Sequence, residues 1–109
     1  MSRIEATENQ ILNTVCEYLF DIKKYFGWRN NNVAIYDKSR GVFRRMPKYA
    51  KKGVADIIMI DKGICYGLEI KKDKGIQSKE QKKFENDFIN AGGKYYVIRS
   101  IDDVVSLGF

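Results

Sequence analysis

The sequence predicts an α/β domain, a central mixed sheet flanked by helices in the order α-β-β-β-β-α-β-α. Three observations carry that expectation. Two capping boxes, Thr7-x-x-Gln10 and Ser78-x-x-Gln81, each head an apolar stripe at helical spacing. Two β-branched apolar runs flank Asp61-Lys62-Gly63, a turn signal that joins them as an antiparallel hairpin. After the second helix, Gly92-Gly93 stops the helical pattern and a further apolar run follows at once, as a strand does in an α/β unit. With 109 residues the chain is long enough for one core and too short for two, so a single domain over residues 1–109 is expected.

Taken in order, the first helix spans residues 7–25, where Ile11, Leu12, Val15, Leu19 and Ile22 recur on one face. Glu8 lies three residues before Ile11 and four before Leu12, at the head of that apolar face, so it is expected to aim inward. Glu5 lies on nearly the same face, and the choice between the two acids stays open at this point. A polar loop follows from Arg29 to Asn32. Residues 33–36 and 42–46 read as short strands joined by a turn at 37–41, and Pro47 ends the second. Residues 54–60 and 64–70 form the central strands, and their near-continuous hydrophobicity requires cover on both faces. In the next helix Gln81, Phe84 and Phe88 share one face. Residues 95–99 form the last strand, and Ser100-x-x-Asp103 caps a short final helix carrying Val104, Val105 and Leu107.

Composition excludes several classes of protein. A single proline and no low-complexity stretch argue for an ordered domain. No apolar run reaches membrane-spanning length and the first residues lack a signal-peptide pattern, so no membrane association and a soluble, cytoplasmic protein are expected. Cys16 and Cys65, in a chain without histidine, cannot build a Cys/His zinc site and are expected as reduced core residues.

The net charge of +6 is unevenly spread. Residues 29–52 carry eight Lys/Arg against one acid, whereas 1–28 carry three against four and 53–109 nine against nine. Arg29, Arg44, Arg45, Lys48, Lys51 and Lys52, with Tyr36, Phe43 and Tyr49 interleaved, suit contact with a phosphate backbone.

Charged residues inside the central strands need partners. Asp56 and Glu69 stand thirteen positions apart in the two runs, and Lys71 follows Glu69 on the same strand face. Two carboxylates converging from neighbouring strands, with the Ile70 carbonyl as a further oxygen, suit a hard divalent cation such as Mg²⁺ or Mn²⁺. Lys71 is then placed to orient or polarise a water, Glu8 to complete the metal shell directly or through water, and Gln81 to hold the water or Lys71.

These residues carry a family resemblance. Lys52-Gly53-Val54-Ala55-Asp56-Ile57-Ile58, Gly67-Leu68-Glu69-Ile70-Lys71, the run from Gly75 to Gln81, and the run from Gly92 to Ser100 together resemble the VRR-NUC (virus-type replication-repair nuclease) branch of the PD-(D/E)XK nucleases. The resemblance spans most of residues 50–105, with the Glu8 helix as a weaker extension. It implies a restriction-endonuclease-like fold and Mg²⁺- or Mn²⁺-dependent phosphodiester cleavage. Asp56, Glu69 and Lys71 then fall in the catalytic positions, with Glu8 and Gln81 matching the family's helix glutamate and downstream glutamine. It further implies a homodimeric endonuclease resolving four-way (Holliday) junctions in a bacterial cell or phage-infected host. A non-catalytic nucleic-acid-binding module, or a nuclease for other branched or single-stranded DNA, are the alternatives. Ala55 stands where the family usually has proline.

Overall fold

Both capping boxes close as their sequences require. Thr7 Oγ1 accepts from the Gln10 amide nitrogen at 3.1 Å, and Gln10 Oε1 accepts from the Thr7 nitrogen at 2.9 Å. The structure, a computed structural model, describes residues 6–30, 36–37, 41–43 and 48–109. From that cap α1 (Glu8–Cys16) runs without a break into a π-helical segment, Glu17–Ile22, where the Lys23 nitrogen reaches back five residues to the Tyr18 carbonyl at 2.9 Å. Lys24, at φ +61°, turns the chain away, so the helical run is shorter than residues 7–25.

The sheet contains a strand the sequence does not announce. β1 (Phe26–Arg29) occupies the edge, where a polar loop is expected from Arg29 onward. Next come β2 (Tyr36–Asp37) and β3 (Val42–Phe43), which pair with each other in a separate ribbon; the rest of the expected strands 33–36 and 42–46 lies outside the described residues. β4 (Ile57–Asp61) and β5 (Ile64–Ile70) form the antiparallel hairpin across residues 61–64, so the first central strand begins at Ile57 and not at residue 54. α2 (Lys79–Asn90) crosses over to β6 (Lys94–Ile98), which lies parallel to β5, and α3 (Ile101–Ser106) closes the chain. The strand order is β1-β4-β5-β6, mixed in direction and flanked by helices. Ser100 precedes α3 without a side-chain cap; Asp103 instead accepts from the Arg99 backbone nitrogen at 2.8 Å.

Both faces of the hairpin are covered. On one side Ile11, Leu12, Val15 and Leu19 pack with Ile57, Met59, Leu68 and Ile70, and Ile98 and Val104 extend this cluster. Burying each such side chain contributes about 1.5–3 kcal/mol, which makes this layer the main stabilising mass of the domain. On the other, Phe84 and Phe88 of α2 pack around Ala55, Ile58 and Tyr95. The terminal Phe109 turns back onto Tyr25 and Tyr66, edge-on to each, and its carbonyl accepts from the Tyr18 hydroxyl at 2.7 Å. Cys16 and Cys65 are free and half-buried, one against each cluster. No helix among the described residues is long and apolar enough to cross a membrane.

Candidate active site

β4 stops one residue short of Asp56, and that early end shapes the site. In the β4–β5 ladder Ile57 faces Leu68, so one more step of the same register sets Asp56 opposite Glu69. Asp56 lies in a bend instead, and its Oδ2 takes the Ile70 backbone N–H at 2.8 Å, a donor left over where the ladder ends. Its own carbonyl accepts from the Asn30 nitrogen at 2.7 Å, just beyond the end of β1. The unannounced strand thus fixes the backbone of the first acid.

Glu69 is 1% exposed, a buried carboxyl group among apolar side chains. Its two oxygens have separate donors: Gln81 Nε2 reaches Oε1 at 2.8 Å and the Tyr95 hydroxyl reaches Oε2 at 3.1 Å. Burial, then the charge of Asp56 and a hydrogen bond shared with it, push the Glu69 pKa up to about 8, with Tyr95 and Lys71 pulling the other way. Two carboxyl groups in hydrogen-bonding reach, one of them buried and the other half-buried, favour a proton or a cation between them. Their oxygen-only donor set suits a hard divalent ion.

The structure brings Asp56, Glu69, Lys71 and Gln81 into one neighbourhood and sets Glu8 beside it. Gln81 serves two roles, since its Oε1 accepts from the Ser78 nitrogen in the capping box while its Nε2 holds Glu69. Lys71, two residues past Glu69, has its Cδ 3.4 Å from the point where a Cβ on Gly75 would stand, and Glu8 Oε1 is 3.3 Å from the same point. Glu8 Oε1 also accepts from the Lys72 nitrogen at 3.5 Å, so this acid sits against the loop after β5. Among the described residues no three Asp, Glu, His or Cys side chains gather as a metal-holding group, and Glu8 therefore stands apart from the carboxylate pair. Glu5 lies outside the described residues.

Three supports of the site have no signature in the sequence. Tyr95 looks like an ordinary strand aromatic until the parallel register sets it against Gly67, beside the Glu69 strand. Gln77 Nε2 donates to Tyr95 at 3.3 Å and to Glu85 Oε1 at 3.1 Å. Arg99 Nη1 donates to the carbonyls of Lys72, Asp73 and Gly75 at 2.8, 3.1 and 3.0 Å, so one guanidinium gathers the loop that follows Lys71. This clamp comes from the residue just past β6, at the same end of the sheet but 27 positions on from Lys72, and has no spacing to betray it.

The basic residues divide. Lys51 and Lys52 line an open pocket of about 300 Å³ with Ala50, Glu80, Lys83 and Asp87. Gly53, at φ +69°, lies so close to Glu80 and Gln81 that a Cβ would strike the Glu80 carbonyl, which seats this lysine loop on the turn of α2 that holds Glu69. Lys48 lies over the Tyr49 ring, 5.2 Å from its centroid. Arg29 is held farther along α1, with Nη1 3.4 Å from Asn13 Oδ1 and Nη2 3.3 Å from Asn9 Oδ1. Arg44 and Arg45 lie outside the described residues.

No protein-family model and no curated protein sequence matches the chain. A solved structure described as a VRR_NUC domain does, with a TM-score of 0.59 over 94% of this chain and 95% of that one, at 15% sequence identity. The fold is that of a VRR-NUC domain. At this identity the likeness concerns the fold, and the expected restriction-endonuclease-like sheet flanked by helices is the one observed. Within the VRR-NUC-like fold, the paired carboxyl groups lie where the ladder between the central strands gives out.

Proposed function

We propose that this chain is a divalent-metal-dependent DNA endonuclease. The observation that carries the reading is the Asp56–Glu69 pair, whose second member is buried at 1% exposure and held by two donors, in a fold of the nuclease type. Asp56 and Glu69, with the Ile70 carbonyl, are the groups that would hold Mg²⁺ or Mn²⁺. Such an ion supplies charge neutralisation at the scissile phosphate and an acidified water.

The chain's own groups do the rest. The Asp56 carboxylate is fixed by the Ile70 N–H and the Glu69 carboxylate by Gln81, so neither needs to reorganise when phosphate arrives. Lys71, just past the end of β5 and two residues beyond Glu69, orients the attacking water and offsets negative charge growing on the phosphoryl oxygens. Glu8, beside the Lys71 stem, completes the outer ligand set through water. Arg29, Arg44, Arg45, Lys48, Lys51 and Lys52 grip backbone phosphates, which selects shape and not base sequence. A homodimer acting on a four-way junction matches two symmetry-related cuts to two symmetry-related sites.

The test is cleavage of labelled duplex, single-stranded, flap, splayed-arm and four-way-junction DNA with Mg²⁺, Mn²⁺ or EDTA, for wild type beside Asp56→Asn. Paired symmetric cuts in the junction, absent with EDTA and in the variant, are expected. Cleavage confined to other branched or single-stranded DNA corrects the substrate. Metal-independent binding without product makes the chain a binding module, and undiminished cutting by Asp56→Asn sinks the site.

A further inference from the structure

Tyr95 is buried, with its ring centroid 6.3 Å from that of Phe84 and 6.4 Å from that of Phe88. Packing of this kind explains an aromatic ring and not a hydroxyl, since phenylalanine fills the same space. The hydroxyl is placed between an amide and a carboxyl group, and these neighbours set its polarity.

The Glu85 carboxyl oxygen accepts from Gln77, so the group that Gln77 turns toward it is the amide nitrogen. The same nitrogen then offers its other proton to Tyr95 Oη at 3.3 Å. With its oxygen receiving from Gln77, the Tyr95 hydroxyl has its own proton left for Glu69 Oε2, 3.1 Å away. On the other carboxylate oxygen Gln81 has its polarity set in a like manner: its Oε1 is engaged by the Ser78 nitrogen, which turns Nε2 toward Glu69. Each Glu69 oxygen therefore faces a donor.

We infer that Tyr95 is a positioning residue for the metal centre: its hydroxyl, held as a donor by the Gln77–Glu85 pair, keeps Glu69 in the orientation that binds a divalent cation. The inference rests on the nuclease reading of the Asp56–Glu69 pair. It extends that reading to a chain of side chains running from Glu85 to Gln77 to Tyr95 to Glu69, none of which except Glu69 touches the cation.

Mn²⁺ binding, followed by electron paramagnetic resonance of free Mn²⁺, tests it in wild type, Tyr95→Phe, Gln77→Leu and Asp56→Asn, with the thermal midpoint of each metal-free protein as control. In Tyr95→Phe the Mn²⁺ dissociation constant is expected to rise about 10- to 100-fold, the usual loss when a ligand's outer partner is removed. The Mn²⁺ concentration for half-maximal cleavage is expected to rise in step, with the rate at saturating Mn²⁺ kept within about threefold of wild type. Gln77→Leu, which leaves the phenol in place but frees its polarity, is expected to weaken binding less; it also serves alone should Tyr95→Phe not fold. Wild-type Mn²⁺ affinity in these variants, with only the thermal midpoint lowered, overturns the inference and leaves the nuclease reading standing. Absence of Mn²⁺ binding in wild type, or undiminished binding in Asp56→Asn, overturns both.

Discussion

A carboxyl group as buried as Glu69, beside a second one, is a proton-holding site until a cation replaces the proton. Its pKa, raised from the ordinary 4.5 to about 8, ties stability to pH with a definite sign. In the unfolded chain Glu69 loses its proton near pH 4.5 and in the folded chain near 8, so the folded state binds more protons between those values. The stabilisation is fully present below about pH 4.5, shrinks as pH rises, and is gone above about pH 8. The thermal midpoint of the metal-free protein is therefore expected to fall by several degrees from about pH 5 to about pH 9. The fall should be smaller in Glu69→Gln, which cannot ionise, and smaller with saturating Mg²⁺. A flat profile in metal-free wild type contradicts the shared-proton geometry. If Lys71 has the proposed role, Lys71→Met is expected to lower the cleavage rate by roughly 10²- to 10³-fold with junction affinity nearly unchanged, measured under single-turnover conditions, because its charge would act on the developing transition state. Asp56, Glu69, Lys71 and Gln81 are legible in the sequence because a polar group on an apolar stripe stands out against its neighbours. Tyr95 is not, because a tyrosine in a strand is compatible with plain packing until a parallel neighbour supplies its partner.

Elements are legible where local chemistry decides them. Residues 64–70 form β5 as expected, and the Ser78 and Thr7 boxes start their helices, since each signal acts over a few residues. β1 is hidden because Phe26-Gly27-Trp28-Arg29 has no β-branched residue and its glycine interrupts the pattern; its backbone is ordered by pairing with residues 57–60, a long-range cause. The apolar residues around Asp56 predict a strand there, yet its side chain takes the Ile70 N–H and the ladder starts after it. The α2 cap links an element to the chemistry. Ser78→Ala removes the hydroxyl that accepts from the Gln81 nitrogen at 3.1 Å, which costs about 1 kcal/mol in chemical denaturation. The looser first turn also frees Gln81, so cleavage is expected to fall several-fold although Ser78 touches no substrate. Gly53→Ala forces a side chain into φ +69° and into the Glu80 carbonyl, and a loss of about 1–3 kcal/mol is expected with it. Since that loop carries Lys51 and Lys52, junction binding should weaken in parallel; reduced stability with binding unchanged separates the loop from the nucleic-acid interface.

At the scale of the whole molecule, charge and topology meet on one helix turn. The excess of Lys/Arg is confined to residues 29–52, and the end of that segment lies against the first turn of α2, which also supplies Gln81 to Glu69. The sequence reveals the charge block, but not that its end abuts the first turn of α2, because the approach depends on Gly53 leaving room for it. If the lysines meet phosphates, binding carries the signature of counterion release. Junction affinity is then expected to fall linearly with salt on logarithmic axes, and the joint substitution Lys51→Ala with Lys52→Ala should reduce the slope by about one to two, roughly 0.9 for each phosphate the variant no longer neutralises. The same variant should weaken binding by a similar factor to junctions of unrelated sequence, because phosphate contacts position the backbone and read no bases. Fluorescence anisotropy with two junctions across a salt series measures both quantities. A slope unchanged from wild type removes these lysines from the interface, and an effect confined to one sequence points to base contacts. Exposed Tyr49, 87% accessible with Lys48 over its ring, sharpens the outcome. If it stacks on an unpaired base at the branch, Tyr49→Ala should weaken junction binding by about 1–3 kcal/mol and leave the salt slope as it is. The two variants thus separate the electrostatic grip, which any DNA satisfies, from a stacking interaction that requires an open branch point.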